Sequence, residues 1–390
     1  MVPSLRLVHL ANHRSNNIGN GALILGTESV IREDLGNVEF VPDAWDDYTL
    51  GKKEFDRGFV ERINASDGLL VGGAVMFNGA RHLRHTGSRL DIPLALWSAI
   101  RKPIVFYGVS YGTYPQQPYH NREALRRFLE ALCGNDNVLL GVRNDGCKAW
   151  MESVLGYATD RIISVPDPGL YVTTVPTPHL EIDEHRRNVL VAVNGEIEVY
   201  RFGGRWPVQV WKHLPGWRRR KSHYLRSLAR ALQRISIDFD ANIILAPHCT
   251  TDYQMMGELL AVSPESLRSQ QLIASSVLRA TSAPYFYDLY RHADLALSMR
   301  IHSMDCALGV GTPFVAITSH PRMVAFMAEA GLSDMTVDIL DPGADRSIYD
   351  RAAAALSNGA SLRARLTRAR ADMRARTATF NNRVGKLLAA

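Results

Sequence analysis

The chain has 390 residues, 46% of them hydrophobic and 22% charged, with a formal net charge of +6. That length suits two domains with a core in each, and the composition is that of a globular chain, not a fibrous or disordered one. No run reaches the roughly 18 to 20 apolar residues of a bilayer span, and "MVPSLRLVHLANHRS" lacks the apolar heart of a secretory signal, so a cytoplasmic location is expected.

In chain order, apolar runs predict strands at Leu5–Leu10, Gly68–Val71, Ile104–Tyr107, Val138–Val142 and Ile162–Val165. Helical patterns such as Gly21–Leu35 and Arg122–Cys133 lie between them. The stretch "PDPGLYVTTVPTPHLEIDEHRR" reads as a linker near Thr173 to Arg187. The alternation then restarts with a strand at Asn188–Val193, a helix from about Ser222 to Ile235 and a strand at Asn242–Ala246. A helical turn at Tyr285–Arg291 and strands at Ala293–Met299 and Thr312–Ile317 follow, then two helices. The expected fold is α/β, with two Rossmann-like domains, 1–175 and 185–345, facing a cleft. Helices in 346–390 complete it, the last returning to the first domain. In such sheets ligands sit beyond the carboxyl ends of the strands.

The residues at those ends are therefore the candidates. After the first strand, "ANHRSNNIGNGALILG" offers Asn16, Asn17, Gly19 and Asn20, whose backbone N–H groups could meet a ligand or form an ordinary turn. The segment matches neither a Walker loop nor a dinucleotide fingerprint, so no nicotinamide cofactor is expected. "VGGAVMFNG" supplies Gly72 and Gly73, and "YGVSYGTY" supplies Gly108, Ser110, Tyr111 and Gly112. In "GVRNDGCKAWM", Arg143 ends a strand at a helix start capped by Asn144 or Asp145. "IILAPHCTTDY" places His248 and Asp252 beyond a strand, as an acid–base pair or as a turn with a capping aspartate.

The most informative stretch is "ADLALSMRIHSMDCALGVGTPFVAI", where Arg300 and His302 close a strand and Ser303 opens a helix. A helix start carries free N–H groups and positive potential, which favour phosphate or carboxylate. Arginine adds a fork of donors, and histidine can both grip an anion and yield a proton.

With these positions in view, the chain resembles the polysaccharide pyruvyl transferase family. The matching pieces, in order, are "NNIGNGALI", "LLVGGAVMF", "GVSYG", "VRNDGCKAWMESVLG", "VPDPGL", "APHCTTD" and the Arg300 segment, spanning roughly residues 10 to 335. The resemblance implies a GT-B-like pair of domains. It also implies transfer of an enolpyruvyl group from phosphoenolpyruvate, as co-substrate, to a sugar of a glycan or lipid-linked glycan, closing a pyruvate ketal. It implies donor binding by Arg143, Arg300, His302, Ser303, Arg322 and His248, and acceptor binding by Asn16, Asn17, Gly19, Asn20, Gly73, Ser110 and Tyr111. His302 would deliver a proton, and Asp252 or Asp167 would act as base. No cofactor and no metal are expected. The chain differs from the family pattern at Arg322, where lysine is frequent, at Asn20, where aspartate is usual, and at Ala74, where glycine is usual. The competing readings are a glycosyltransferase using a nucleotide-sugar and a catalytically silent saccharide-binding protein.

Cys133, Cys147, Cys249 and Cys306 lie far apart with no CxxC pair, which fits neither a zinc motif nor a disulfide framework and suits a reducing compartment. The positive charge suggests anionic partners, but basic residues are spread along the chain and no nucleic-acid module appears. Arg218, Arg219, Arg220 and Lys221 precede the expected second-half helix, flanked by Trp211 and Trp217. They read either as a solvated loop or as a peripheral contact with a membrane or a lipid-diphosphate-linked glycan.

Overall fold

Near-continuous apolar runs such as Gly68–Val71 and Ala241–Leu245 are buried along their whole length, the mark of strands covered on both faces. The computed structural model describes residues 4–114, 117–197, 215–270, 272–274 and 279–390. Contacts divide the chain into two units. One comprises Met1–Ser15, Asn20–Thr173 and Ala371–Ala390, and the other Asn16–Gly19 and Thr174–Arg370.

The first unit carries β1 (Leu5–Ala11), α1 (Ile18–Leu35), β2 (Val38–Ala44), α2 (Trp45–Thr49), α3 (Arg57–Asn64), β3 (Gly68–Val71) and β4 (Val75–Phe77). Then come α4 (Leu94–Ala99), β5 (Ile104–Tyr111), α5 (Arg122–Cys133), β6 (Val138–Arg143), α6 (Cys147–Leu155) and β7 (Ile162–Val165). Its sheet runs β2-β1-β3-β5-β6-β7 with β4 beside β5, and every pairing is parallel. Alternate residues feed opposite cores, as the two-residue period of a strand requires. Leu69, Val71, Ile104 and Phe106 enter one cluster, and Leu70, Val105 and Tyr107 enter the other. The sequence reading missed β2, whose "VEFVPDA" is charged and holds a proline. At a sheet edge the missing N–H is tolerated, and Pro42 pairs with His9 there.

The second unit carries β8 (Arg187–Ala192), α7 (Pro215–Asp238), β9 (Ala241–Leu245), α8 (Asp252–Val262), α9 (Glu265–Gln270) and β10 (Leu272–Ala274). It continues with α10 (Ala283–Arg291), β11 (Leu295–Ser298), α11 (Ile301–Val310), β12 (Phe314–Thr318), α12 (Pro321–Glu329), β13 (Thr336–Asp338) and α13 (Ala344–Ser357). Its parallel sheet has the order β10-β9-β8-β11-β12-β13. Helix α7 begins at Pro215, a position that suits proline, so the basic quartet lies inside the helix and not in a preceding loop. Arg218, Arg219 and Arg220 are exposed, whereas Lys221 is buried against Glu258 with its ammonium 5.2 Å from the Trp217 ring centroid. Trp211 lies outside the described residues.

The last helix, α14 (Gly359–Ala389), contributes its end to the first unit. Phe380 and Val384 join the core with Tyr107, whose hydroxyl donates to Asn381 Oδ1 at 2.8 Å. Asn381 Nδ2 in turn reaches Asp34 on α1 at 2.7 Å, and Arg374 pairs with Glu33 at 2.9 Å. Among the described residues no helix is long and apolar enough to cross a membrane.

Candidate functional site

The carboxyl end of β11 sets the candidate site of the second unit. Arg300 is the N-cap of α11, and His302 and Ser303 lie in its first turn. Ser303 Oγ donates to the Arg300 carbonyl at 2.8 Å and accepts the Arg300 N–H at 3.4 Å, so its hydroxyl shapes the turn. His302 has 16% of its side chain exposed, and its Nδ1 stands 3.4 Å from Oδ2 of the fully buried Asp305, one helical turn on. That approach sets a buried carboxylate beside the imidazole and favours its protonated form. Gly19 is built against the same ring. A Cβ there would lie 2.1 Å from His302 Cδ2, so only glycine allows this approach. Asn17 fixes that glycine by accepting its N–H at 2.8 Å at the start of α1. Asn16 is exposed nearby in sequence, and Asn20 turns to Ser15 Oγ at 2.8 Å.

Arg300 does not present an open fork, contrary to the sequence expectation. Its Nε donates to Asp252 Oδ2 at 3.0 Å and its Nη2 to Oδ1 at 2.5 Å, while Nη1 meets Glu196 at 2.9 Å. Nη2 also lies 2.8 Å from Cys249 Sγ. Burial works against the guanidinium's charge, but Asp252 and Glu196 outweigh it and raise its pKa further. Asp252 is fully buried at the first position of α8, where its carboxylate suits the helix dipole. It accepts the N–H groups of Gly195 at 3.0 Å, His248 at 2.8 Å and Cys249 at 3.1 Å. Burial alone would raise its pKa, but Arg300 and these donors outweigh it and hold the carboxyl below its ordinary value. A carboxyl held in that state is a weak proton acceptor. Thr251 is the N-cap of α8, and Asp252 instead closes the turn before the helix by accepting the His248 and Cys249 N–H groups.

His248 faces the interior of the second unit. It is fully buried, its Nε2 lies 2.9 Å from the Tyr290 hydroxyl, and its ring meets Phe286 edge-on at 4.8 Å. Burial pushes its pKa down to about 3, so the ring is neutral at ordinary pH. Its carbonyl accepts the Ile18 N–H at 2.9 Å, a link to the segment that carries Gly19. Arg322 is half-buried in the first turn of α12, which is capped by His320 Nδ1 accepting the Arg322 N–H at 3.1 Å.

The first unit repeats the arginine–aspartate theme. Arg143, at the end of β6, is 1% exposed, and its Nε lies 2.9 Å from Oδ2 of the fully buried Asp167. Asp167 also caps the turn Pro168–Tyr171 by accepting the Gly169 N–H at 2.8 Å. Asp167 thus stands as a counter-ion to Arg143. Ser110 donates to Asp145 at 2.6 Å in the interior, and Tyr111 stacks on Trp150 at 5.0 Å. Both residues are buried. Gly73 is buried between Leu23 and the Gly108 carbonyl, and Gly108 (φ 66°) sits in a bulge of β5 where a Cβ would strike Pro168. Tight backbone packing accounts for both glycines.

Three participants escaped the sequence reading. Asp305 carried a usable signal, the i, i+3 spacing from His302 in "HSMD". Glu196 and Cys249 carried none, because they meet Arg300 only through the fold.

The family model described as polysaccharide pyruvyl transferase matches residues 17–321. A comparison with curated proteins finds no match. Among solved structures, the chain is similar to a putative UDP-N-acetylglucosamine 2-epimerase from Listeria monocytogenes, at 11% identity and TM-score 0.54, over 98% of this chain and 95% of that one. It is also similar to a UDP-forming α,α-trehalose-phosphate synthase from Burkholderia xenovorans, at 11% identity and TM-score 0.54, over 99% of each chain. The corresponding synthase from Burkholderia vietnamiensis gives 13% identity and TM-score 0.53, over 99% of this chain and 97% of that one. These likenesses show the fold, two parallel-sheet α/β units of the GT-B kind with helices at the C-terminus. The family match covers residues 17–321, more than half of the chain and with Arg143, Arg300 and His302 inside it, and on that ground the chain belongs to the polysaccharide pyruvyl transferase family.

Proposed function

We propose that the protein moves a pyruvyl group from phosphoenolpyruvate onto two hydroxyls of a sugar in a glycan or glycoconjugate, closing a pyruvate ketal. Beside the family match, the carrying observation is His302, set beside buried Asp305 in the first turn of α11, where the helix dipole favours an anion. An anionic donor exchanges with the exposed carboxylate of Glu196 for Arg300 Nη1, while Asp252 keeps the rest of the guanidinium in place.

In this reading His302 delivers a proton from Nε2 to the methylene carbon of phosphoenolpyruvate, which makes C2 oxocarbenium-like. The first acceptor hydroxyl adds to C2 and returns its proton to His302. Phosphate leaves, the second hydroxyl closes the ring, and its proton departs on the phosphate. The sum is diol plus phosphoenolpyruvate giving ketal plus hydrogen phosphate, so neither Asp252 nor Asp167 is required as base. The test is incubation with phosphoenolpyruvate and a panel of glycosides, read by phosphate release and product mass. Release matched by a ketal mass supports the reading. Consumption of a nucleotide-sugar in place of phosphoenolpyruvate would favour the glycosyltransferase, and inertness with every donor would favour a saccharide-binding protein.

The exposed Arg218 and Arg219 line a groove of about 360 Å³ with Ser222, His223, Arg226 and Arg230 on α7. Its charge suits a lipid-diphosphate-linked acceptor at an anionic membrane surface. Co-sedimentation that rises with anionic lipid supports this contact, and indifference to lipid charge rules it out.

A further inference from the structure

Asp288 and His292 lie four residues apart at the end of α10, and therefore on one face. Asp288 is 1% exposed, and its Oδ2 stands 3.2 Å from His179 Nε2 and 3.7 Å from His292 Nε2. The two imidazole nitrogens and a carboxylate oxygen lie within 4.8 Å of one another. A tetrahedral zinc site has bonds of about 2.0–2.1 Å, which sets neighbouring ligand atoms roughly 3.4 Å apart, between the two observed values.

The surroundings fit a ligand set. The Thr177 N–H donates to the same Oδ2 at 3.0 Å and fixes the carboxylate, as outer partners of metal ligands do. Arg291 approaches the other oxygen, Oδ1, at 3.4 Å and leaves Oδ2 to the imidazoles. Two imidazoles with one carboxylate favour Zn²⁺ over Mg²⁺ or Ca²⁺, which prefer oxygen alone.

We propose that His179, Asp288 and His292 form a site for one Zn²⁺-class cation, with water in the fourth position. Helix α10 leads directly into the start of β11, whereas Arg300 and His302 follow that strand's carboxyl end. The site is thus near the amino end of β11, and the proposed chemistry lies at its carboxyl end. His292 also lines a cavity of about 540 Å³ with Asp183, His185 and Asp294. The metal ties the irregular segment around His179 to α10 and leaves one coordination position for an exchangeable ligand.

The full chain, stripped with chelator, is titrated with ZnCl₂ by calorimetry and followed by thermal melting. One equivalent binds and raises the melting temperature. His179→Ala and His292→Ala each weaken binding by more than about tenfold, since even an outer partner is worth about 10- to 100-fold. Both abolish the thermal shift, whereas His302→Ala keeps it. Co²⁺ in place of zinc gives visible bands of tetrahedral intensity with no thiolate charge-transfer band, and these bands vanish in His292→Ala. His292 is half-exposed, and circular dichroism verifies that this variant folds. Absence of saturable Zn²⁺ binding, or binding unchanged in the folded His179→Ala/His292→Ala double variant, overturns the proposal.

Discussion

Gly19→Ala tests whether the position of His302 governs turnover. The added Cβ would stand 2.1 Å from His302 Cδ2, 2.4 Å from Cγ and 2.8 Å from Cβ. Carbon atoms rest about 3.5–4.0 Å apart, so the ring has to retreat by roughly 1.4 Å at its nearest atom. The inner ring atom and the side-chain stem are both struck, so turning the ring tip gives no relief. A swing about the stem carries Nδ1 away from Asp305, from a starting separation of 3.4 Å. A misplacement near 1 Å lowers a rate by about 100-fold. The fold is affected less. Overpacking costs about 1–3 kcal/mol, and the helix preference of alanine over glycine returns up to about 1 kcal/mol. The assay is phosphate release from phosphoenolpyruvate with a productive glycoside, alongside thermal melting. The control is Gly257→Ala, a helical glycine with open space around it. A folded Gly19→Ala protein with kcat within twofold of the parent would refute the reasoning.

Asp252→Asn should lower the stability of the second unit by about 3 kcal/mol, because the buried Arg300 then loses the carboxylate that holds two of its nitrogens and keeps only the exposed Glu196 as a counter-charge. Urea unfolding checks this, and a change below about 1 kcal/mol would mean the pair is not the internal tie described. His248 makes a pH prediction. Its folded pKa of about 3 lies below the ordinary 6.5, so the unfolded chain takes up the proton more readily. Stability is therefore full above 6.5, falls as pH drops, and is wholly lost only below the folded value. Between pH 7.5 and 5 the loss is about 2 kcal/mol. Asp252, depressed below 3.8, loses its contribution only at lower pH and stays out of this window. His248→Gln should therefore show an acid slope smaller by about 2 kcal/mol over that range, measured by unfolding at both pH values.

The parallel sheets were legible because uninterrupted apolar runs have few alternatives to a strand covered on both faces. The strand end carrying Arg300 and His302 was legible for the same reason. What neutralises the arginines was not. Asp252 lies 48 residues from Arg300, and no local pattern joins them. The sequence reading therefore named the arginines without the carboxylates that pair with them. The start of α7 was hidden by Arg218, Arg219, Arg220 and Lys221, whose charge opposes a helix N-terminus. Pro215 and the burial of Lys221 against Glu258 override that preference. Ser110 and Tyr111 illustrate a different limit. A polar residue near a strand end reads as exposed until the strand is seen to continue through Tyr111.

The most direct test of the account follows the methylene carbon itself. Phosphoenolpyruvate and a productive glycoside are incubated with the full chain in deuterated water, and the ketal is examined by mass spectrometry. Proton delivery by His302 predicts one solvent deuterium in the ketal methyl group and loss of product by at least about 100-fold in folded His302→Ala. Ketal formation at the parent rate in that variant, or a methyl group without deuterium, would contradict it.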